Sequence, residues 1–213
     1  MRAVIFDFDG TIADSFATVI GIAYKLTKRP ELADLTQMER MKANNVGLRQ
    51  AVKNLNIPRW HSLWLLPRGR ILMSRQIHQI PLFTGMDQVL KELAAQKFEL
   101  YIVSSNSTAN VERFMLEKGL LPYFKRVYGG AGLFDKARLI KKVLKAENLA
   151  PSTVVYVGDE VRDIEASKQV GMPCVAVAWG YNSADLLIKY SPTVIVRSPK
   201  QLLNVLSQWG TSL

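Results

Sequence analysis

The chain has 213 residues, a length that allows one domain, or one domain with a modest insertion. With 48% hydrophobic and 22% charged residues, the composition is that of a soluble globular protein and excludes disordered, collagen-like and coiled-coil classes, while the net charge of +10 favours anionic partners. The single cysteine, Cys174, excludes an internal disulfide and a cysteine-based zinc site, and because no apolar run is long enough to span a bilayer, we expect a cytoplasmic protein with no membrane partner.

Two kinds of apolar segment alternate along the chain. Continuous runs rich in β-forming residues occupy residues 3–8, 98–103, 153–157, 173–178 and 193–196. Between them, apolar residues recur with helical spacing, for example at Val111, Phe114 and Met115. Strands without inward and outward alternation are buried on both faces, as in a parallel sheet covered by helices. The pattern predicts an α/β fold with a doubly wound parallel sheet, that is, a Rossmann-like core.

The segment from residue 15 to residue 80 interrupts this alternation. It contains only helix-like pieces separated by glycines and prolines, and it is longer than one crossover helix requires. We therefore predict an all-helical cap at residues 15–80, inserted into a core formed by residues 1–14 and 81–213. The predicted cap has eleven basic and three acidic residues, and so carries +8 of the net charge of +10. This charge would face either the cleft beneath the cap or solvent.

Two carboxylates end the first predicted strand, at the edge where parallel α/β sheets bind their ligands. If the backbone stays extended, Asp7 and Asp9 lie on one side of the strand, and Phe6 and Phe8 lie on the other. Carboxylates this close repel each other unless a cation lies between them or one of them is protonated. Two acids at the end of an otherwise apolar strand therefore indicate a functional site rather than a helix cap.

A second pair of acids follows the run at residues 153–157. Asp159 comes directly after Gly158, and Asp163 follows four residues later, so both lie on one face where a helix begins. Acids also favour a helix N-terminus for electrostatic reasons alone. A Gly-Asp turn directly after an apolar strand, however, favours a ligand for a hard cation at Asp159, with Asp163 supporting it. The neighbouring Glu160 is predicted to be solvated.

Two further segments favour an anion site. Ser104, Ser105 and Asn106 follow the run at residues 98–103 and precede a helical pattern, where free backbone N–H groups and the helix dipole attract anions. A serine in this position is also typical of an ordinary N-cap. Lys136 begins a helical stretch, where a cation opposes the dipole, so its side chain is expected to point at a negative group.

Taken together, these residues match a set of known motifs. Residues 7–11 match DxDGT, Ser104 matches a second motif, Lys136 a third, and residues 158–163 match GDxxxD. In this order and spacing, the set resembles the haloacid dehalogenase superfamily of phosphohydrolases. The position and helical character of the insert resemble the phosphoglycolate-phosphatase-like branch of that superfamily, which carries a helical cap.

The resemblance implies a role for each residue. Asp7 is the nucleophile that forms an aspartyl phosphate, and Asp9 is the general acid and then the general base. The cofactor is Mg²⁺, held by Asp7, Asp159 and the backbone carbonyl of Asp9, and supported by Asp163. Glu160 departs from the family, which often has a small hydroxyl residue there. The phosphate-binding residues are Thr11, Ser104, Ser105, Asn106 and Lys136.

The implied function is Mg²⁺-dependent hydrolysis of a small phosphate monoester, such as 2-phosphoglycolate or a sugar phosphate, so the expected partner is a small phosphorylated metabolite. The same core residues would serve a phosphomutase. Haloacid dehalogenation is disfavoured, because displacing halide from carbon needs neither a metal nor a second acid at Asp9. A phospho-accepting receiver module is disfavoured because it lacks a large insert. Nucleic acid is not expected as a partner, although a phosphatase acting on a phosphorylated polynucleotide end would explain both the charge and the acids.

Overall fold

A computed structural model describes residues 3–28, 59–130 and 136–209. Within these ranges the chain forms a parallel sheet of six strands in the order β3-β2-β1-β4-β5-β6. This order puts β1 in the middle of the sheet, hydrogen-bonded to β2 on one side and to β4 on the other. The strands are β1 (Ala3–Phe6), β2 (Glu99–Val103), β3 (Phe124–Tyr128), β4 (Val154–Gly158), β5 (Cys174–Val177) and β6 (Val194–Val196).

Helices connect the strands, and short 3₁₀ turns at Ile77–Gln79, Leu121–Tyr123 and Pro151–Thr153 complete the described connections. The α-helices of the described ranges are α1 (Phe16–Thr27), α2 (Arg59–Gln76), α3 (Met86–Ala95), α4 (Thr108–Glu117), α5 (Lys136–Ala146), α6 (Val161–Gln169), α7 (Ala184–Lys189) and α8 (Pro199–Trp209).

The central strand β1 is buried on both faces, because all four of its residues are apolar. Val4 and Phe6 belong to one hydrophobic cluster, which includes residues of α3, α4 and α8. Ala3 and Ile5 belong to a second cluster, which includes residues of α5, α6 and α7. Helices therefore cover both faces of the sheet, which confirms the predicted doubly wound α/β fold.

The sheet contains one strand, β3, that the five predicted runs do not include. β3 lies at the edge of the sheet next to β2. Lys125 and Arg126 in its centre are exposed, whereas Phe124 and Val127 are buried. Charged side chains are typical of edge strands, where they discourage pairing with another chain. Because those charges break the apolar run, hydrophobicity alone does not reveal this strand.

The two helices α1 and α2 lie within the predicted cap and pack against each other. Residues 29–58 of the predicted cap lie outside the described residues. The chain leaves and re-enters the core at adjacent points, because the backbone N–H of Asp14 donates to the carbonyl of Pro81 (2.9 Å) and that of Phe83 donates to the carbonyl of Ile12 (3.1 Å). The division into a core and an all-helical cap stays a prediction.

Candidate active site

The carboxyl end of β1 places Asp7 in the middle of the sheet edge. The backbone N–H of Asp7 donates to the carbonyl of Val157 on β4 (2.8 Å), which continues the ladder by one residue. The Asp7 carboxylate is buried and accepts two hydrogen bonds, at Oδ1 from the backbone N–H of Phe8 (2.8 Å) and at Oδ2 from Nζ of Lys136 (2.7 Å). Its orientation is therefore fixed by one neighbour in the chain and one from a distant helix.

The chain turns sharply after Asp7. The carbonyl of Phe8 accepts hydrogen bonds from the backbone N–H groups of Thr11, Ile12 and Ala13. β1 therefore ends at Phe6, two residues before the end of the predicted run. Phe6 and Phe8 both pack into the same hydrophobic cluster, as the alternation in the sequence predicts.

Lys136 is the first residue of α5, and its side chain points at negative groups, as expected. It is buried, and its Nζ forms ion pairs with Asp7 and Asp163. Burial by itself lowers the pKa of a lysine, but the carboxylates of Asp163 and Asp7 outweigh this effect and raise the pKa of Lys136. The lysine is therefore cationic at neutral pH.

Asp159 follows β4 and is held rigidly. Its Oδ1 accepts from the hydroxyl of Thr11 (2.8 Å), and its Oδ2 accepts from the backbone N–H of Tyr181 (2.6 Å). Two glycines press against the same carboxylate, since a Cβ atom at Gly10 or Gly180 would lie 2.2 Å or 2.1 Å from an atom of Asp159. Gly10 also has a φ of +82°, which L side chains rarely adopt. The close packing explains why both positions lack a side chain.

Three carboxylates converge in this cluster. Asp7, Asp159 and Asp163 each offer an oxygen, and these oxygens lie within 4.8 Å of one another. Burial raises the pKa of Asp7 to about 7 and raises the pKa of Asp159 well above its usual range. Buried carboxylates that repel one another are the donor set of a hard divalent cation, and Mg²⁺ needs only one or two of them besides substrate and water oxygens. The cluster therefore fits Mg²⁺.

Asp9 is not one of the three carboxylates of this cluster and has a different set of contacts. Its Oδ2 accepts from Nδ2 of Asn106 (3.4 Å), whereas its Oδ1 is buried and has no hydrogen-bond partner within the described ranges. Burial raises the pKa of Asp9, and the Ser15 hydroxyl and the Asn106 amide offset part of the rise. Asp9 thus retains its proton to a higher pH than an exposed aspartate does.

The predicted phosphate-binding residues occupy the turns around the two acid groups. The side chains of Ser104 and Thr11 are already engaged, because Oγ of Ser104 accepts from the backbone N–H of Asn106 (3.0 Å) and the Thr11 hydroxyl donates to Asp159. Ser105 is half-buried in the same turn. The N-cap of α4 is Ser107, whose Oγ accepts from the backbone N–H of Asn110. The turn from residue 104 to residue 106 therefore lies before the cap rather than forming it.

The prediction that Glu160 is solvated is wrong. Glu160 is buried and pairs with Arg162, whose Nε donates to Oε1 of Glu160 (2.8 Å). The backbone N–H of Glu160 donates to Oδ2 of Asp163 (2.9 Å), and this bond closes the first turn of α6. A basic residue two positions away is the signal that would have indicated this pairing.

Cys174 is buried, as predicted, and burial raises the pKa of its thiol to about 12.

Sequence reasoning also missed the segment after β5. The backbone N–H of Tyr181 binds Asp159, while its hydroxyl lies 2.7 Å from Oγ of Ser15, just before α1. Nε1 of Trp179 donates to the carbonyl of Thr11 (3.1 Å). These contacts fasten the loop that carries Asp9 and Thr11 to the far side of the site. A Trp-Gly-Tyr sequence after a buried strand gives no specific chemical signal, so only the structure reveals this role.

We predict that Gly180→Ala destabilises the protein and weakens the acid cluster. The new methyl group would lie 2.1 Å from Cβ of Asp159, so the backbone or the carboxylate must move. Overpacking of this kind costs about 1–3 kcal/mol, which urea unfolding of the two proteins will measure. Gly21→Ala is the matched control, because a Cβ at Gly21 in α1 meets nothing within 4 Å. A Gly180→Ala protein as stable as wild type would contradict the close packing described above.

Comparison with known proteins identifies the family. The family model described as haloacid dehalogenase-like hydrolase matches residues 4–177. The chain belongs to the haloacid dehalogenase-like hydrolase family. A phosphoglycolate phosphatase from Synechococcus elongatus is 33% identical over 208 residues, which cover 98% of each chain. A phosphoglycolate phosphatase from Vibrio vulnificus is 24% identical over 218 residues, covering 96% of each chain.

Solved structures of haloacid dehalogenase-like proteins share the fold. A haloacid dehalogenase-like family hydrolase from Streptococcus pneumoniae matches with a TM-score of 0.78 and 22% identity, covering 96% of this chain and 98% of that one. A predicted phosphatase from Clostridium acetobutylicum matches with a TM-score of 0.83 and 19% identity, covering 97% and 98%. The predictions of family membership and of a phosphoric monoester hydrolase are confirmed. Among the described helices, none is long and apolar enough to cross a membrane.

Proposed function

We propose that the protein is a Mg²⁺-dependent phosphatase that hydrolyses a small phosphate monoester through an aspartyl phosphate on Asp7. The observation that carries this proposal is the buried Asp7 carboxylate at the end of the central strand, held by Lys136 and grouped with Asp159 and Asp163. Phosphoryl transfer requires an aligned nucleophile and neutralisation of charge on three oxygens, and little else. Asp7 would be the nucleophile, and Lys136 together with a bound Mg²⁺ would neutralise the charge.

Asp7 has the geometry of a nucleophile. One of its oxygens is oriented by the backbone of Phe8 and the other by Lys136, so the carboxylate cannot rotate freely. In the first step an oxygen of Asp7 bonds to phosphorus as the bond to the ester oxygen breaks. In the second step water attacks phosphorus and releases phosphate, which restores the carboxylate. Splitting a slow hydrolysis in this way is the advantage of a covalent intermediate.

Mg²⁺ would be held by Asp7, Asp159 and the backbone carbonyl of Asp9, with Asp163 supporting the site, and when bound it would neutralise phosphoryl oxygens. Lys136 provides a second positive charge, and its ion pairs with Asp7 and Asp163 place that charge beside the nucleophile. The remaining predicted phosphate contacts are in the turns that contain Thr11, Ser104, Ser105 and Asn106.

Asp9 is suited to moving the proton. Its carboxylate is buried beside the side chains of Asn106 and Ser15, which hold it at the edge of the acid cluster. Because burial raises the pKa of Asp9, the residue keeps its proton to a higher pH than an exposed aspartate, and that proton would pass to the leaving oxygen. As a carboxylate it then accepts a proton from the attacking water. The proposal thus gives the two aspartates different roles, with Asp7 as the nucleophile and Asp9 as the residue that moves the proton.

The relatives named above make 2-phosphoglycolate the first substrate to test. Phosphate release should be measured on 2-phosphoglycolate, several sugar phosphates and p-nitrophenyl phosphate, each with Mg²⁺ and with a chelator. We expect hydrolysis of at least one small ester in Mg²⁺ and loss of that activity in chelator. The absence of hydrolysis on every ester in Mg²⁺ would contradict the proposal.

The Asp9→Asn variant should discriminate between leaving groups. An amide cannot protonate the departing oxygen, so kcat/KM on an alkyl ester should fall by about 10²–10⁴. The loss on p-nitrophenyl phosphate should be smaller, because its leaving group departs without a proton. Steady-state kinetics on both esters measure the difference. Equal losses would show that Asp9 has a structural role instead.

A further inference from the structure

The side-chain amide of Asn110 is connected to Asp9, the proposed acid–base residue, through the side chain of Asn106. Asn110 is in the first turn of α4 and is buried. Its Nδ2 donates to Oδ1 of Asn106 (3.0 Å) and to the backbone carbonyl of Arg70 in α2 (3.4 Å). Rotating the amide by 180° would bring Oδ1 of Asn110 close to both acceptor oxygens, which would repel it. The two contacts therefore fix which way the Asn110 amide faces.

The orientation of the Asn106 amide is fixed in turn by two hydrogen-bond donors that face its Oδ1. Its Oδ1 accepts from Nδ2 of Asn110 and from the backbone N–H of Ser107 (2.9 Å). With the oxygen held there, Nδ2 of Asn106 faces Asp9 and donates to its Oδ2 at 3.4 Å. A continuous line of hydrogen bonds thus runs from the backbone of α2 through two amides to the carboxylate of Asp9.

We propose that Asn110 is a positioning residue for Asp9. It holds the Asn106 amide in the orientation that donates to Oδ2 of Asp9, and so fixes the rotation of the carboxylate that would exchange a proton with the substrate. The inference rests on the proposed function, because it assigns Asn110 to the acid step. Asn110 does not touch the reacting atoms and acts through Asn106 alone.

The Asn110→Asp variant tests this role with a nearly isosteric change. A carboxylate at position 110 cannot donate to Oδ1 of Asn106, and it attracts the amide Nδ2 of Asn106. The Asn106 side chain should therefore turn over and withdraw its donor from Asp9. Because Asn106 is also a predicted phosphate contact, we expect some loss on both esters, and kcat/KM on 2-phosphoglycolate should fall about tenfold or more beyond the loss on p-nitrophenyl phosphate. The ratio of the two values is the decisive readout.

Two companion variants separate positioning from folding. Ser107→Ala removes the N-cap hydroxyl that accepts from the backbone N–H of Asn110, but keeps the backbone N–H that holds Asn106. It should lower the melting temperature and leave the ratio of the two esters unchanged. In an Asp9→Asn background, Asn110→Asp should not change the ratio further, because the acid that it positions is already absent.

Each outcome decides the inference. A changed ratio in Asn110→Asp that disappears in the Asp9→Asn background supports the positioning role. Equal losses on both esters in Asn110→Asp, as a merely less stable protein would show, overturn it and leave the proposed function intact. If the wild-type protein hydrolyses no ester of the panel in Mg²⁺, the proposed function and the inference both fall.

Discussion

The Asp7→Asn variant is expected to lose at least about a thousandfold in turnover while keeping its fold. An amide has the shape of the carboxylate but cannot attack phosphorus, and it contributes no negative charge toward a cation. The acid-quenched wild-type enzyme should carry label from a labelled ester, and the variant should carry none. Circular dichroism and thermal unfolding check that the fold is retained.

Asp87→Asn is the matched control for this variant. Asp87 is in the first turn of α3 and pairs with Lys91 on the surface, where both side chains are about half exposed. Surface ion pairs of this kind contribute little, so both activity and stability should stay near those of wild type. An Asp7→Asn protein that keeps more than about a tenth of the wild-type rate would exclude Asp7 as the nucleophile.

Much of the site could be predicted from the sequence because chain topology brings strand ends together. Asp7 follows β1 and Asp159 follows β4, and because the two strands are hydrogen-bonded neighbours, the two acids lie close together. Lys136 could be predicted as part of the site for a similar reason, since a lysine at a helix N-terminus is unfavourable unless anions face it. Its pairs with Asp7 and Asp163 provide those anions.

The contacts that the sequence did not reveal depend on side-chain orientation rather than on residue type. Tyr181 reaches Asp159 through its backbone N–H, which any residue except proline has. Asn110 acts by the direction of its amide, and asparagine near a helix start is too common to indicate such a role. The edge strand β3 was hidden by its exposed Lys125 and Arg126. A polar residue in the sequence predicts a functional site strongly only where burying it without a partner would cost free energy.

The effect of a bound cation on stability is expected to depend on pH. Burial raises the pKa of Asp7 from 3.8 to about 7, and raises the pKa of Asp159 from 3.8 as well. A folded-state pKa above the unfolded value means that the folded protein binds protons more tightly. Without a cation, Asp7 therefore makes folding progressively less favourable as pH rises from about 4 to about 7, and Asp159 acts in the same direction as pH rises above about 4. A bound divalent cation should remove this penalty by stabilising the ionised carboxylates.

Mg²⁺ should therefore raise the melting temperature of the wild-type protein more at about pH 8 than at about pH 6, because protons compete for the same oxygens. Asp159→Asn keeps the shape that Gly10 and Gly180 pack against, but removes one charge from the donor set. The Mg²⁺ concentration for half-maximal activity should rise by at least about 10–100-fold, because the loss of even a group that only supports a metal ligand has an effect of this size. The Mg²⁺-dependent rise in melting temperature should become smaller at both pH values. Glu165→Gln, an exposed acid on α6, should leave both measurements unchanged. An unchanged Mg²⁺ requirement in Asp159→Asn would transfer the ligand role to Asp163, the third carboxylate of the cluster.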